Sequence, residues 1–368
     1  MKIMQVDQLL KTETHYFKPY VRYVLSDFEL DQIIVSANRT QVHWSSFNSY
    51  ERRWGGTDLN GKKVCLYRHN AWGDQLMASS VPRYLKALYP DVKIHLYCHP
   101  DVLPLWLGNP FVEHSAIPLP IPFDAMKEYD YHIFYEGMLE GNSEPDQRCC
   151  YDDMFSFIGL NDVPAQFKVP YVEVRPEDYK FFNETIGVVH TPYAVYHAAP
   201  ANMNRAYPFH LGVKFVRMLA NRIPVVVVGR DKKKEYAYLF DGFKNVRNLI
   251  NKTKSFRDLM PIVENASAVV CPDSSVMHLT ACFPQVPMVS LWGLFAPNDR
   301  SKYYTNDHPI FLKDACPHAP CHDHNFFLPT EQCKDAIGAP KDKTKIKSCA
   351  VLSAITPEMI MNKVEAFL

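Results

Sequence analysis

The sequence contains no apolar run long enough to cross a membrane. Its longest apolar stretches are about as short as Val225–Gly229. A membrane-spanning helix needs about 20 predominantly apolar residues. The first 30 residues mix charged side chains such as Lys2 and Asp7 with apolar ones, so the core of a secretory signal peptide is absent. These absences predict a cytoplasmic protein without a membrane span.

An excess of charge of either sign is also absent. Forty Lys and Arg residues balance forty Asp and Glu residues. No overall field therefore draws the chain to nucleic acid or to an anionic membrane, although a local basic patch is compatible with this balance. With 47% hydrophobic residues the composition is that of a globular protein, and 368 residues are enough for two domains.

Disulfide bonds are not expected, although the chain has ten cysteines. Without a secretory signal, cysteines stay reduced by default. Several cysteines and histidines crowd one C-terminal segment: Cys316, His318, Cys321, His322, His324, Cys333 and Cys349. Their spacing is irregular beside the closely paired cysteines of zinc sites, so a reduced loop is favoured over the alternative of a metal site.

Strands and helices alternate from residue 61 onwards. Val64–Arg68 and Lys93–Cys98 have the composition of buried strands, and the helix between them places Val81, Leu85 and Leu88 on one face. Strands that alternate with helices of this length indicate right-handed βαβ crossovers and a parallel sheet.

The alternation stops in a segment with three prolines, between Asp152 and Glu184, and then resumes. We therefore predict an aromatic-rich extension over residues 1–60, an acceptor-side Rossmann-like domain over 61–185, a nucleotide-sugar-binding one over 186–355, and a C-terminal helix over 356–368. The predicted fold class is α/β, with two Rossmann-like domains that face a cleft. A ligand should bind there, at the ends of the strands.

Four short segments follow predicted strands, where an open α/β sheet places its ligand-binding residues. They supply these candidates: Arg68, Trp72, Gly73 and Asp74; Arg205; Asp273, Ser274, Ser275 and His278; and Asn298. Gly73 allows a tight turn, and Arg205 offers a planar, permanently charged donor fork. A helix that begins near Ser274 would present free N–H groups to an anion.

Each candidate also has an ordinary structural interpretation. Asp74 can be a helix N-cap, Arg205 a solvated surface residue, and His278 a core histidine behind an Asp or Ser cap. No single residue decides between these interpretations and ligand binding. The order and spacing of all four segments together favour ligand binding.

In that order and spacing the segments resemble glycosyltransferase family 9, the heptosyltransferases of lipopolysaccharide assembly. The family opens with a strand, an Arg and a Gly-Asp pair, as in Arg68 with Gly73-Asp74. It carries a basic residue before an aromatic-Pro pair, as in Arg205–Pro208, and an Asp-Ser…His-Leu segment, as in Asp273–Leu279. A loop similar to Trp292–Asp299 follows in the family.

The resemblance covers the chain from about residue 63 onwards and implies a GT-B fold. It implies an inverting transfer of a sugar from a nucleoside-diphosphate sugar to a hydroxyl of a saccharide or lipid-linked saccharide. By position, Asp74 corresponds to the general base, Arg205 to the diphosphate ligand, and Asp273–His278 to the donor-binding turn. The remaining candidates would line the cleft: Arg68, Trp72, Gly73 and Asn298.

Two departures from the family pattern concern the donor. Ser275 replaces the usual Gly, which changes how closely the backbone approaches a phosphate. Leu294 and Phe295 are inserted before Ala296-Pro297, which lengthens the donor loop. The ADP-heptose typical of the family is therefore not assigned to this chain from the resemblance.

A metal is not expected at the site. Many sugar transferases hold one with an Asp-x-Asp triplet, and the sequence contains no such triplet. A carboxylate can accept the proton of the attacking hydroxyl, and fixed positive groups can stabilise the departing diphosphate. We predict no cofactor apart from the nucleotide-sugar co-substrate.

Two other functions remain open at the level of sequence. The acceptor can be a modified nucleobase in DNA, although zero net charge argues mildly against a DNA groove. The chain can also be a non-catalytic module that binds a sugar nucleotide, and the presence of both Asp74 and Arg205 argues against that.

Overall fold

A computed structural model of the chain gives its fold. It describes residues 2–6, 10–11, 16–17, 22–25, 30, 33, 42–46, 54, 56–68, 71–117, 121–134, 149–187, 192–200, 205–231, 236–321 and 349–368. The chain divides into two units, Met1–Glu144 with Cys150–Glu173 and Pro145–Cys149 with Val174–Leu368.

Short antiparallel strands, which the sequence analysis did not predict, open the first unit. They are β1 (Lys2–Val6), β2 (Leu10–Lys11), β3 (Tyr16–Phe17), β4 (Arg22–Leu25) and β5 (Val42–Ser46). β1 lies between β4 and β5, and β2 pairs with β3. The segment 26–41 between β4 and β5 lies mostly outside the described residues. Leu30 and Ile33 within it are helical and share a buried cluster with Met4 and Phe17.

The rest of the first unit is built on a parallel sheet. Its strands are β6 (Lys63–Tyr67), β7 (Lys93–Tyr97), β8 (His114–Ile117) and β10 (Tyr131–Phe134), while β9 (Ile121–Pro122) pairs with β4 of the N-terminal sheet. The order of the parallel sheet is β10-β6-β7-β8. The order reverses beside β6, so the carboxyl end of β6 is a topological switch point, where ligands of such sheets bind.

Helices accompany this parallel sheet, among them the one predicted between its first two strands. They are α1 (Trp72–Ala78), α2 (Ser80–Leu88), α3 (Phe123–Met126) and α4 (Cys150–Phe157), with 3₁₀ turns at Leu103–Trp106 and Ala165–Phe167. Val81 and Leu85 of α2 are buried, as predicted. Leu88 is 40% exposed, so its predicted place on the buried face is wrong. It is the last residue of α2, beyond the part of the helix that is covered.

The second unit contains a five-stranded parallel sheet. Its strands are β11 (Ala194–Ala199), β12 (Val225–Gly229), β13 (Val246–Asn248), β14 (Ala268–Pro272) and β15 (Met288–Leu291). The order is β13-β12-β11-β14-β15. This order is that of a doubly wound fold, with its switch point between β11 and β14, so a ligand is expected at the carboxyl ends of these two strands.

Helices surround this second sheet. They are α5 (Tyr179–Thr185), α6 (Phe209–Ala220), α7 (Leu259–Glu264), α8 (Ser275–Ala281), α9 (Pro297–Arg300), α10 (Ala350–Ala354) and α11 (Pro357–Val364), with 3₁₀ turns at Pro176–Asp178, Ala237–Phe240, Phe256–Asp258, Lys313–Ala315 and Glu365–Phe367. α11 packs on α6, and its Ile360 and Val364 join the core of the unit. No helix in the described part of the chain is long and apolar enough to cross a membrane.

Cysteines in or next to the parallel strands behave as small apolar residues. Cys65, Cys98 and Cys271 are fully buried in strands or directly after one. Burial raises the pKa of each thiol, that of Cys98 to about 12. A thiol that is protonated at neutral pH is a poor nucleophile, so these three residues serve packing.

Gly212 gives a stability test of the packing between α6 and the sheet. A Cβ at this position would meet the hydroxyl of the fully buried Tyr196. Alanine is the better helix former by about 1 kcal/mol, but overpacking in a core costs about 1–3 kcal/mol. We expect Gly212→Ala to lower the free energy of unfolding, measured by denaturant titration.

The matched control for this expectation removes the hydroxyl. In Gly212→Ala combined with Tyr196→Phe the closest contact is gone, and the double variant should be more stable than Gly212→Ala alone. Equal stability of the two variants would show that the contact is not what requires glycine.

Candidate functional site

Arg68 and Asp74 meet at the switch point of the first unit. Arg68 directly follows β6 and is buried, and its backbone N–H donates to the carbonyl of Tyr97 at 3.2 Å. Asp74 is the third residue of α1, and its Oδ2 accepts a hydrogen bond from Nη2 of Arg68. The Asp74 side chain retains 23% exposure, so it is accessible to a ligand.

The turn before Asp74 differs in detail from the one expected. Trp72 and Gly73 are the first residues of α1, and the N-cap of that helix is Ala71, not Asp74. Ala71 has a φ of 65°, a conformation that is unusual for a residue with a Cβ and costs of order 1–3 kcal/mol. The predicted tight turn at Gly73 is therefore wrong, because Gly73 is helical and the positive φ lies at Ala71. The alternative that Asp74 is only an N-cap is wrong as well.

Gln75 anchors this corner and was not singled out from the sequence. It is fully buried, and its Nε2 donates to the carbonyl of Arg68 at 2.7 Å. Its Oε1 accepts from Nε1 of Trp106 at 2.8 Å. Buried amides that are satisfied on both ends fix local geometry, so Gln75 holds the end of β6 against α1.

Asp273 lies at the switch point of the second unit, directly after β14. Its carboxylate contacts two arginines: Nη1 of Arg205 lies 3.4 Å from Oδ2, and Nη1 of Arg300 lies 3.4 Å from Oδ1 and 3.3 Å from Oδ2. The Asp273 side chain is 4% exposed, whereas those of Arg205 and Arg300 are 21% and 14% exposed. The buried Asp273 carboxylate therefore contacts two guanidinium groups that are partly exposed to solvent.

The electrostatics of this cluster favour an anionic ligand. Burial raises the pKa of the Asp273 carboxyl, but Arg300, Arg205 and His278 outweigh burial and lower that pKa below its ordinary value. Asp273 is therefore ionised, and one carboxylate is shared by two guanidinium groups. Planar guanidinium forks suit the oxygens of phosphates.

Ser274 and Ser275 form the start of α8 beside the cluster. Ser274 is the N-cap with extended backbone (φ −162°), and Ser275 is the first helical residue. The Ser274 Oγ shares a hydrogen bond of 2.9 Å with Nδ1 of the buried His197. The helix start adds N–H groups and a partial positive charge next to the two arginines.

His278 is held in the interior of the unit. It is 2% exposed, and its Nδ1 shares a hydrogen bond of 2.5 Å with the hydroxyl of Tyr304. Tyr304 and His197 were not expected from the sequence, because hydrogen bonds between distant segments leave no local signal. These contacts hold the His278 side chain in the core, behind the predicted donor turn.

The loop after β15 contributes through Phe295 and Arg300. The inserted Leu294 and Phe295 are buried, and the guanidinium carbon of Arg300 lies 3.9 Å from the centre of the Phe295 ring. Asn298, expected to line the cleft, is exposed in α9. Arg300 was not predicted as a site residue, because the segment that resembles the family ends at Asp299, one residue earlier.

Some predicted features lie outside the described residues. They include the loop 201–204 before Arg205 and residues 322–348, which hold His322, His324 and Cys333 of the C-terminal cluster. Within the described ranges no group of three or more His, Cys, Asp or Glu residues is arranged to hold a metal ion.

Comparison with known proteins was made by family, by sequence and by structure. The model of glycosyltransferase family 9 (heptosyltransferase) matches residues 147–327. No curated protein matches the chain by sequence. The family match confirms the resemblance over this segment, which contains Arg205, Asp273 and Arg300.

Solved structures match the fold at low sequence identity. ADP-heptose lps heptosyltransferase II of E. coli has a TM-score of 0.62 and 16% identity, over 83% of this chain and 98% of that one. A family 9 glycosyl transferase from Veillonella parvula DSM 2008 has a TM-score of 0.61 and 12% identity, over 84% and 98%. The dodecameric iron-containing heptosyltransferase TibC, in complex with ADP-D-beta-D-heptose, has a TM-score of 0.57 and 11% identity, over 100% and 90%.

These matches confirm the predicted fold class. Both units are α/β with parallel sheets, as in the GT-B heptosyltransferase structures. At these identities the structural likeness shows the fold alone, and the family match adds that the chain is a glycosyltransferase.

Proposed function

We propose that this glycosyltransferase, with its family 9 domain over residues 147–327, moves a sugar from a nucleoside-diphosphate sugar to a hydroxyl of a saccharide or lipid-linked saccharide. The observation that carries the proposal is the cluster of Arg205, Asp273 and Arg300 at the switch point of the second sheet. The non-catalytic alternative is set aside because the chain is a glycosyltransferase. The comparisons give no support to a DNA acceptor.

The donor's diphosphate is the group that the cluster suits. As the bond between sugar and diphosphate breaks, negative charge grows on the leaving phosphate oxygens. Arg205 and the N–H groups at Ser274 and Ser275 would stabilise that charge, because they are fixed in place before the reaction. We assign donor binding to these residues. His278 belongs to the same turn and supports it from the interior, where its side chain is bonded to Tyr304.

Asp74 is the proposed general base. Its carboxylate would accept the proton of the attacking hydroxyl, which is otherwise a weak nucleophile. The hydrogen bond from Arg68 holds Asp74 in one orientation, and Gln75 holds Arg68 in turn. A single carboxylate is sufficient for direct displacement at the anomeric carbon, which inverts its configuration, so we propose an inverting reaction.

The identity of the sugar is the least constrained part of the proposal. ADP-heptose is named for similar structures and is the first donor to test. Ser275 and the inserted Leu294 and Phe295 distinguish this chain from the family pattern at the donor turn. We therefore leave open whether the donor sugar is a hexose, a heptose or a pentose, and we leave the base to experiment. A cytoplasmic location also belongs to this proposal.

The experiment is a thermal-shift screen of the full chain against ADP-, UDP-, GDP- and CMP-sugars, followed by an assay of nucleotide release. A ligand at 100 times its dissociation constant adds about 2.7 kcal/mol of stability. We expect one class of nucleoside-diphosphate sugar to raise the melting temperature and to be consumed. The product's anomeric configuration, read by NMR, should be inverted relative to the donor. Stabilisation by none of these sugars would contradict the proposal.

A metal-free reaction is a further expected outcome. The two guanidinium groups near Asp273 can carry the charge for which other sugar transferases use a divalent cation. Turnover should therefore be the same with and without EDTA. Loss of turnover in EDTA that Mg²⁺ or Mn²⁺ restores would show that the reaction needs a metal.

A further inference from the structure

Arg300 has contacts that its position in the sequence does not explain. It ends the four-residue helix α9, and its guanidinium group reaches back to both oxygens of Asp273. Its carbon centre lies over the ring of Phe295 at 3.9 Å. A stacked guanidinium keeps a fixed plane, and a fixed plane lets its fork meet phosphate oxygens in one geometry.

The charge of the Asp273 carboxylate does not by itself require a second arginine. Arg205 already lies 3.4 Å from its Oδ2, and one guanidinium balances the charge of one carboxylate. Arg205 and Arg300 both reach the same Oδ2, so their Nη1 atoms lie within two hydrogen-bond lengths of each other. Two forks at that separation match a ligand with two adjacent phosphates better than a ligand with one.

The segment that carries Arg300 is braced. The Asp299 carboxylate accepts from the backbone N–H of Ala296 at 2.7 Å, and the N–H of Ser301 donates to the carbonyl of Pro297 at 2.8 Å. Arg300 therefore projects from a closed turn, and its 14% side-chain exposure leaves room for a contact with a ligand. Pre-organised contacts of this kind cost little entropy when a ligand binds.

We propose that Arg300 is a second diphosphate-binding residue, and that Arg205 and Arg300 together make the site select nucleoside diphosphates over monophosphates. This inference rests on the proposed function and goes beyond it, because it names the feature that distinguishes one phosphate from two. Asp273 then acts as a positioning residue that holds both guanidinium groups.

The test compares nucleotide affinities of the full chain by calorimetry. The probes are ADP, UDP, GDP and CDP, the matching monophosphates, and inorganic pyrophosphate. The variants are Arg300→Gln and Arg300→Lys, with Arg222→Gln as the control. Arg222 belongs to the same unit and pairs with Glu365, and its side chain is 66% exposed. Arg222→Gln should leave the affinity for every one of these probes unchanged.

Arg300→Gln should weaken the best diphosphate by about tenfold or more, as expected when a charge-assisted contact is lost. The matching monophosphate should weaken less than about threefold, so the preference for the diphosphate shrinks. Arg300→Lys keeps the charge near Asp273 and loses the fork, and its diphosphate affinity should fall between those of wild type and Arg300→Gln. It also serves as the test if Arg300→Gln does not fold.

Several results would overturn the inference. Wild-type diphosphate affinity in the Arg300 variants would show that the residue does not touch the ligand. Equal loss for diphosphate and monophosphate would assign it a structural role. Both results leave the proposed function standing. If the wild-type chain binds neither pyrophosphate nor any of the four diphosphates, the inference and the proposed function fail together.

Discussion

Asp74→Asn is expected to lower turnover by about 10²–10⁴-fold, the range for loss of a general base. Asparagine keeps the size of the side chain and a carbonyl oxygen toward Arg68, so the corner around α1 should keep its shape. Donor affinity should stay at the wild-type value, since the proposed donor site belongs to the other unit. The measurements are kcat with saturating substrates and the Kd of the donor by calorimetry.

The control for this prediction is Asp124→Asn. Asp124 is in the same unit, pairs with Lys127 at 2.7 Å, and its side chain is 79% exposed. Exposed pairs of this kind contribute little, so this variant should turn over at the wild-type rate. Near-normal kcat in Asp74→Asn would remove Asp74 from the role of base and leave its ion pair with Arg68 as its function.

Arg205→Ala is expected to weaken donor binding by about tenfold or more. A charge-assisted hydrogen bond to a phosphate contributes roughly 1.5–3 kcal/mol, and each 1.4 kcal/mol corresponds to a factor of ten. Asp273 keeps Arg300 as an ion-pair partner in this variant, so its buried charge remains compensated and the unit should fold. The KM of the acceptor should stay close to that of wild type.

Calorimetry with the best nucleoside diphosphate measures this effect, and Arg222→Ala is the matched control. If Arg205→Ala binds the nucleotide as tightly as wild type, Arg205 is a structural partner of Asp273 and the diphosphate lies elsewhere. A rise in the acceptor's KM without a change in nucleotide affinity would instead assign Arg205 to the acceptor.

The second unit could be predicted closely because its strands are buried on both faces. Such strands appear in a sequence as short continuous apolar runs, and Val225–Val228 and Ala268–Cys271 are of this kind. The observed strands β12 and β14 extend each run by one residue. The N-terminal sheet was missed because its strands have two to five residues and pair antiparallel with distant partners, including β9. Strands this short give too little alternation to recognise.

The site was predictable where it follows strand ends and not where it depends on three-dimensional contacts. Arg68 and Asp273 directly follow strands, and Asp74 lies in the first turn of the helix that follows β6. The order of the sheets brings such positions to their switch points. Arg300 and Gln75 meet their partners only after folding. The positive φ at Ala71 could not be predicted, because the residue is not a glycine. Backbone strain of this type is set by the surrounding structure and not by local propensity.

A crystal structure of the full chain with its tightest-binding nucleoside diphosphate tests the central claim most directly. The proposed site predicts that the diphosphate oxygens lie within about 2.7–3.2 Å of the Arg205 guanidinium and the backbone N–H groups of Ser274 and Ser275. The nucleotide should contact mainly residues 190–300 of the second unit. A nucleotide bound to the first unit, or bound in the second unit away from Arg205 and Asp273, would contradict the account.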